Sequence, residues 1–126
     1  MESILIIDDD TTLRRALRLT LERSGYGVFE AGDGREGLRL LKREIVDLVI
    51  TDLIMPGMEG LETIRELRKL NPSLRIIAIS GGGRGTPAEY LDIATQFGAA
   101  KVFTKPFDFS ALCSAVSGLL GSSSGV

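Results

Sequence analysis

The sequence has no histidine in 126 residues. That absence removes Ser-His catalysis, His-ligated metal sites and phosphotransfer through this chain's own imidazoles, leaving carboxylates, Lys and hydroxyls to carry any chemistry. A single cysteine, Cys113, excludes an internal disulfide framework. There is no excess of basic charge: the net charge of -2 gives no electrostatic case for nucleic acid. No apolar run approaches the length needed to cross a bilayer, and no basic segment precedes an apolar one at the amino terminus. The expectation is therefore a cytoplasmic protein with no membrane partner. What is present, 44% hydrophobic and 25% charged residues, suits one ordinary domain with a core of its own.

The chain is organised around Val46 to Gly60, where the apolar run Leu48-Val49-Ile50 ends at Asp52 and is broken by Pro56-Gly57. A near-continuous apolar run suits a parallel strand covered on both faces. Pro lacks a backbone donor and Gly tolerates unusual dihedrals, so the strand stops there and Asp52 stands at its carboxyl end. Ile4 to Ile7 is a similar run that stops at Asp8-Asp9-Asp10. It leads into a helix with Leu13, Ala16, Leu17, Thr20 and Leu21 on one face and Arg14, Arg15, Arg18 and Glu22 on the other.

Gly27 to Ala31 supplies a second strand, and Asp33 with Glu36 reads as a capping pair for a helix through Arg43. A third helix runs from about Leu61 to Leu70 and closes at Asn71-Pro72, before a strand from Leu74 to Ser80. After Gly81-Gly82-Gly83, the segment Thr86-Pro87-Ala88-Glu89 opens a helix to about Phe97. Lys101 to Thr104 is a fifth strand, and Asp108 caps a last helix with Phe109, Leu112, Cys113, Val116, Leu119 and Leu120 at helical spacing. Cys113 belongs to that apolar stripe and reads as core. Residues 1–120 are expected to form the domain, and 121–126 a flexible Ser/Gly tail.

Five strands alternating with five helices predict an α/β fold with a doubly wound parallel sheet. In the flavodoxin-like order 2-1-3-4-5 the first and third strands are neighbours, and their carboxyl ends meet at the topological switch point. Asp8 and Asp9 then face Asp52, with Ser80 and Lys105 at the ends of the fourth and fifth strands. Three carboxylates alone would repel one another and raise their pKa values. A divalent cation with oxygen ligands relieves this, and Mg²⁺ suits a site completed by phosphate. Asp52 can then attack phosphorus, Lys105 can neutralise a phosphoryl oxygen, and the Ser80 hydroxyl can bind another.

Four segments carry a resemblance: Ile6-Ile7-Asp8-Asp9, Asp52 to Gly60, Ile77-Ala78-Ile79-Ser80-Gly81 and Thr104-Lys105-Pro106-Phe107. In that order and spacing the chain resembles a receiver domain of the two-component response regulators, similar to the chemotaxis regulators. The resemblance implies Asp52 as phosphoacceptor, Asp9 as a direct Mg²⁺ ligand, Asp8 as a ligand largely through water, and the Ile54 carbonyl as a further ligand. It implies Ser80 as a hydroxyl switch with Lys105 as the phosphoryl group's ion-pair partner. The partners implied are a sensor histidine kinase or a histidine phosphotransfer protein, and a downstream protein or an output domain. Such a domain is not an enzyme beyond its own phosphorylation and dephosphorylation, and it signals through its fourth helix, fifth strand and last helix, here around Tyr90 and Val102.

Two positions depart from the family pattern: Val102 replaces a usual aromatic residue, and Gly81 a frequent Ala. Phe103 should face the other side of its strand, because strand side chains alternate. Signalling is then expected through backbone shifts in the glycine-rich loop after Ser80, and Gly81 is expected to widen access to the phosphoryl group.

Two other readings compete. Asp8-x-Asp10-x-Thr12 resembles the nucleophile motif of haloacid-dehalogenase-type Mg²⁺ phosphatases, with Asp8 attacking, but nothing after Lys105 supplies that family's paired acids. A pseudo-receiver kept only for protein binding is the other. On the receiver reading Ile54 is apolar and cannot orient an attacking water, so the aspartyl phosphate should hydrolyse slowly. Its decay, followed by intact mass, should extend well beyond seconds, and a half-life of seconds would sink this expectation.

Overall fold

The computed structural model describes residues 1–53, 60–81, 92, 95–96 and 98–121. Among these the chain forms β1 (Ser3–Ile7), α1 (Thr11–Arg23), β2 (Gly27–Ala31), α2 (Gly34–Arg43) and β3 (Leu48–Asp52). It continues through α3 (Gly60–Leu70), β4 (Arg75–Ser80), β5 (Lys101–Thr104) and α4 (Phe109–Leu120). The strands form one parallel sheet in the order β2-β1-β3-β4-β5. The doubly wound architecture and its 2-1-3-4-5 order thus stand as expected. Four of the five expected helices lie among the described residues. The helix expected from Thr86 to about Phe97, with Tyr90, lies largely outside them, as do Ile54, Pro56-Gly57, Gly82, Gly83 and residues 122–126.

The apolar runs are continuous because both faces of the sheet are covered. Leu5, Ile7, Val49, Ile76 and Ala78 pack on one side with Ile64 and Leu67 of α3 and the leucines of α2. Ile4, Ile6, Leu48, Ile50, Ile77 and Ile79 pack on the other with Leu17 and Leu21 of α1 and Leu112 and Val116 of α4. Cys113 packs against this second cluster, and burial raises its thiol above the usual range. Ala16 does not join the buried stripe of α1: it is exposed, because it lies about 100° round the helix from Leu17, on which the stripe is centred.

Side-chain caps start three helices close to the strand ends. Asp10 Oδ1 accepts from the Leu13 amide at 3.1 Å, and Asp108 Oδ1 from the Ser110 amide at 2.9 Å. At α2 the expected capping pair closes one residue early: Asp33 accepts from the Glu36 amide, but Glu36 reaches back to the Gly32 amide rather than that of Asp33.

Glycine sets the seat of α2. A Cβ on Gly37 would stand 2.8 Å from Ile7 Cγ1 and closer still to Cδ1, and Ile7 is wholly buried in β1 with no room to retreat. Gly37→Ala should therefore lose roughly 1–3 kcal/mol of stability through overpacking. Urea unfolding tests this, and an unchanged midpoint would show that α2 can lift without cost.

Candidate functional site

Strand order brings the acids together. Ile7 pairs with Thr51, so the next residues, Asp8 and Asp52, meet at the carboxyl ends of adjacent strands. Asp8 and Asp52 are buried and Asp9 is exposed at the rim. One carboxylate oxygen from each of the three lies within 4.8 Å of the other two. Lys105 reaches this cluster from the end of β5: its Nζ is 3.1 Å from Asp8 Oδ2 and 2.9 Å from Asp52 Oδ2.

Burial is the largest influence on Asp8 and raises its pKa, the Asp52 charge adding to the rise while the Asp10 amide, 2.9 Å from Oδ1, and Lys105 oppose it. Burial also works to lower Lys105, but the hydrogen bond and charge of Asp52, then the charge of Asp8, outweigh it and hold the ammonium above its usual range. A donor set made only of carboxylate oxygens, crowded around one ammonium, fits a hard, oxygen-seeking cation such as Mg²⁺.

Ser80 is buried at the end of β4, one step beyond the residue that pairs with Asp52. Its carbonyl accepts from the Lys105 amide at 2.7 Å, which ties the two strand ends together. Ile54 lies outside the described residues. Gly81 has a tighter role than open access: a Cβ there would stand 2.5 Å from Lys105 Cβ and 3.3 Å from its Cα, so the missing side chain lets Lys105 sit against the loop. Lys105 precedes Pro106 through a cis peptide bond, and the rings of Phe107 and Phe109 stack at 5.5 Å beyond it. These rings, with Leu13 and Pro106, line an apolar groove of about 430 Å³ that opens beside Lys105 and Asp10. Val102 packs on the face of α2 and α3 and Phe103 on the opposite face, as strand alternation requires. Asp10, the second acid of the phosphatase-like pattern, is engaged in capping α1.

Sequence reasoning missed one network. Arg14 and Arg18 are not simply a solvated face: Arg14 Nε is 2.8 Å from Glu30 Oε1, and Arg18 Nη1 is 2.9 Å from Glu30 Oε2. Burial works to raise the Glu30 carboxyl, yet the hydrogen bonds from Arg18 and Arg14 hold it below its usual range. The available signal was Glu30 itself, an acid amid the apolar residues of a strand.

A doubly wound sheet with a carboxylate cluster and a lysine at its switch point defines a class of phosphate-handling α/β domains. The model of the response regulator receiver domain family matches residues 4–117, and the chain belongs to that family. It is 42% identical over 113 residues to the transcriptional regulatory protein GlrR of Escherichia coli, covering 90% of this chain and 25% of GlrR. The chain thus spans about a quarter of that relative's length. It is 31% identical over 115 residues to sporulation initiation phosphotransferase F of Bacillus subtilis, covering 91% of this chain and 90% of that protein. The crystal structure of a response regulator receiver domain protein from Clostridium thermocellum superposes with a TM-score of 0.88 at 30% identity, covering 96% of this chain and 95% of that one. Among the described residues no helix is long and apolar enough to cross a membrane.

The raised Asp8 carboxyl has a consequence for stability. An acid that binds its proton more tightly when folded makes the metal-free protein less stable as pH climbs above 3.8 and through the raised value. Asp8→Asn removes that loss. At pH 7 without metal the variant should be more stable than wild type by the order of 1 kcal/mol, or roughly 3–5 °C in Tm. The gap should close near pH 4. Equal melting temperatures at pH 7 would mean that Lys105 already neutralises the pair.

Proposed function

We propose that this receiver domain accepts a phosphoryl group from a phosphohistidine onto Asp52. The observation that carries the reading is the Lys105 ammonium lying 2.9 Å from Asp52 and 3.1 Å from Asp8, with the Asp9 carboxylate completing the cluster. The phosphorus–nitrogen bond of the donor breaks and a bond from an Asp52 oxygen to phosphorus forms, while the imidazole leaves with the electron pair. Such a transfer needs mainly positioning and charge stabilisation. Asp8, Asp9, Asp52 and the Ile54 carbonyl are the residues that would hold Mg²⁺, Asp9 directly and Asp8 largely through water. When bound, Mg²⁺ supplies positive charge to the phosphoryl oxygens and offsets the repulsion among the carboxylates. Lys105 neutralises a second oxygen and the Ser80 hydroxyl binds a third. The apolar groove beside Lys105 gives an incoming donor protein a surface to rest on.

The donor is a sensor histidine kinase or a histidine phosphotransfer protein, and the protein works in the cytoplasm. Its own catalysis is confined to speeding its phosphorylation and hydrolysis. Output passes through the surface formed by β5 and α4, to a partner protein or to an output domain. The route starts at Lys105. Its side chain contacts Asp52 and its amide holds Ser80, and Gly81 packs directly against it. A phosphoryl group on Asp52 redirects the ammonium, and the loop after Ser80 follows. Val102 has no ring to swing, so the backbone carries the change, with a coupling of roughly 1–3 kcal/mol.

Intact mass after incubation with a small-molecule phosphodonor tests this, with and without Mg²⁺, on wild type, Asp52→Asn and Asp8→Asn. The expected result is one phosphoryl group that requires Mg²⁺ and is absent from Asp52→Asn. Modification that survives Asp52→Asn but is lost in Asp8→Asn would move the nucleophile to Asp8, and no modification at all would make the domain a protein-binding module.

A further inference from the structure

The backbone around the acidic cluster is held from two sides. The Asp8 amide donates to the Ala31 carbonyl of β2 at 3.1 Å, and the Asp8 carbonyl accepts from Arg14 Nη1 at 2.7 Å. That carbonyl belongs to the peptide joining Asp8 to Asp9, so its direction sets where the Asp9 Cα–Cβ bond points. Rotating the peptide would break a charge-assisted hydrogen bond from an arginine whose side chain is only 15% exposed.

Arg14 is in turn braced. Its Nε is paired with Glu30, which stands opposite Ile6 one residue before the end of β2 and uses its other oxygen for Arg18. Arg18 also pairs with Glu22 at 3.2 Å, so two arginines and two glutamates form a network with no net charge. This neutrality matters. A lone guanidinium beside a cation site would repel the cation, whereas a neutralised one keeps its hydrogen bond to the Asp8 carbonyl with less of that penalty.

We propose that Arg14, braced by Glu30, is a positioning residue for the acidic cluster, fixing the Asp8–Asp9 peptide so that the Asp9 carboxylate faces Asp8 and Asp52. The role rests on the reading of these three acids as the Mg²⁺ site. Partners that orient ligands in this way typically change metal affinity by roughly 10–100-fold when removed.

The test is the Mg²⁺ dissociation constant, measured by titration calorimetry on wild type, Arg14→Met, Arg14→Lys and Arg18→Met, together with Tm. Arg14→Met keeps the apolar stem but loses both hydrogen bonds, and should bind Mg²⁺ roughly 10-fold more weakly. Arg18→Met removes the same charge from the network without touching Asp8, and should stay within about twofold of wild type. The sign discriminates. If Arg14 acted through charge alone, its loss would tighten Mg²⁺ binding, and if it served stability alone, Tm would fall with the dissociation constant unchanged; either result overturns the proposal. Should Arg14→Met fail to fold, Arg14→Lys decides: one ammonium cannot serve both Glu30 and the Asp8 carbonyl as a guanidinium does, so affinity should drop by about threefold or more, and wild-type affinity overturns the proposal. A wild type that does not bind Mg²⁺ would overturn the site and this role together, whereas Mg²⁺ binding equal in wild type and Arg14→Met would overturn the role alone.

Discussion

Everything at the carboxyl edge of the sheet depends on two buried carboxylates that repel each other. Asp8 and Asp52 stand side by side at the ends of adjacent strands, and Lys105 bridges them from a third. A pair of apolar residues there would be more stable, because desolvating charges costs more than most ion pairs return. Burial, with the Asp52 charge adding to it, raises the Asp8 carboxyl, and the Asp10 amide and Lys105 oppose the rise without cancelling it. The cluster's oxygens therefore favour a positive charge among them, and Lys105 is held by both carboxylates at once.

The fold supports this by bringing backbone unusually close at particular points. Gly37 lets α2 settle on Ile7, the residue before Asp8, and Gly81 itself rests against Lys105. Backbone hydrogen bonds link the same places: Asp8 to Ala31, Leu53 to Ile79 and Lys105 to Ser80. The acids are thus presented by strand ends anchored in two hydrophobic clusters, which resist deformation.

Much of this was legible in the sequence, for identifiable reasons. Unbroken apolar runs that stop at Asp8, Asp52 and Ser80 mark buried parallel strands by their length and their breakers, and alternation alone puts Val102 and Phe103 on opposite faces. The meeting of Asp8 with Asp52 needed one further step, the strand order. What stayed hidden was close approach and side-chain reach. Arg14 falls on the polar side of a helical projection, which cannot show that its long stem folds back to the edge strand and Glu30. Gly81 looked like extra room around a phosphoryl group, yet the space a side chain would fill is taken by Lys105. Ala16 fitted the apolar period but lies just outside the arc that α1 buries.

On the proposed function, the geometry offers a route for the signal that needs no aromatic ring at Val102. A ring that swings needs a cavity to enter, and its motion reports the movement of a neighbouring hydroxyl. Here Lys105 makes a shorter connection on the proposed reading. Its side chain ends at Asp52, its amide is bonded to the Ser80 carbonyl, and its Cα and Cβ pack where the side chain of residue 81 would be. On that reading, a change in charge at Asp52 that moves the ammonium pulls on a residue whose main chain is already joined to Ser80 at the end of β4. Glycine at 81 is what keeps the two in direct contact: a Cβ there would stand 2.5 Å from Lys105 Cβ, so a larger residue would have to push Lys105 away from the end of β4.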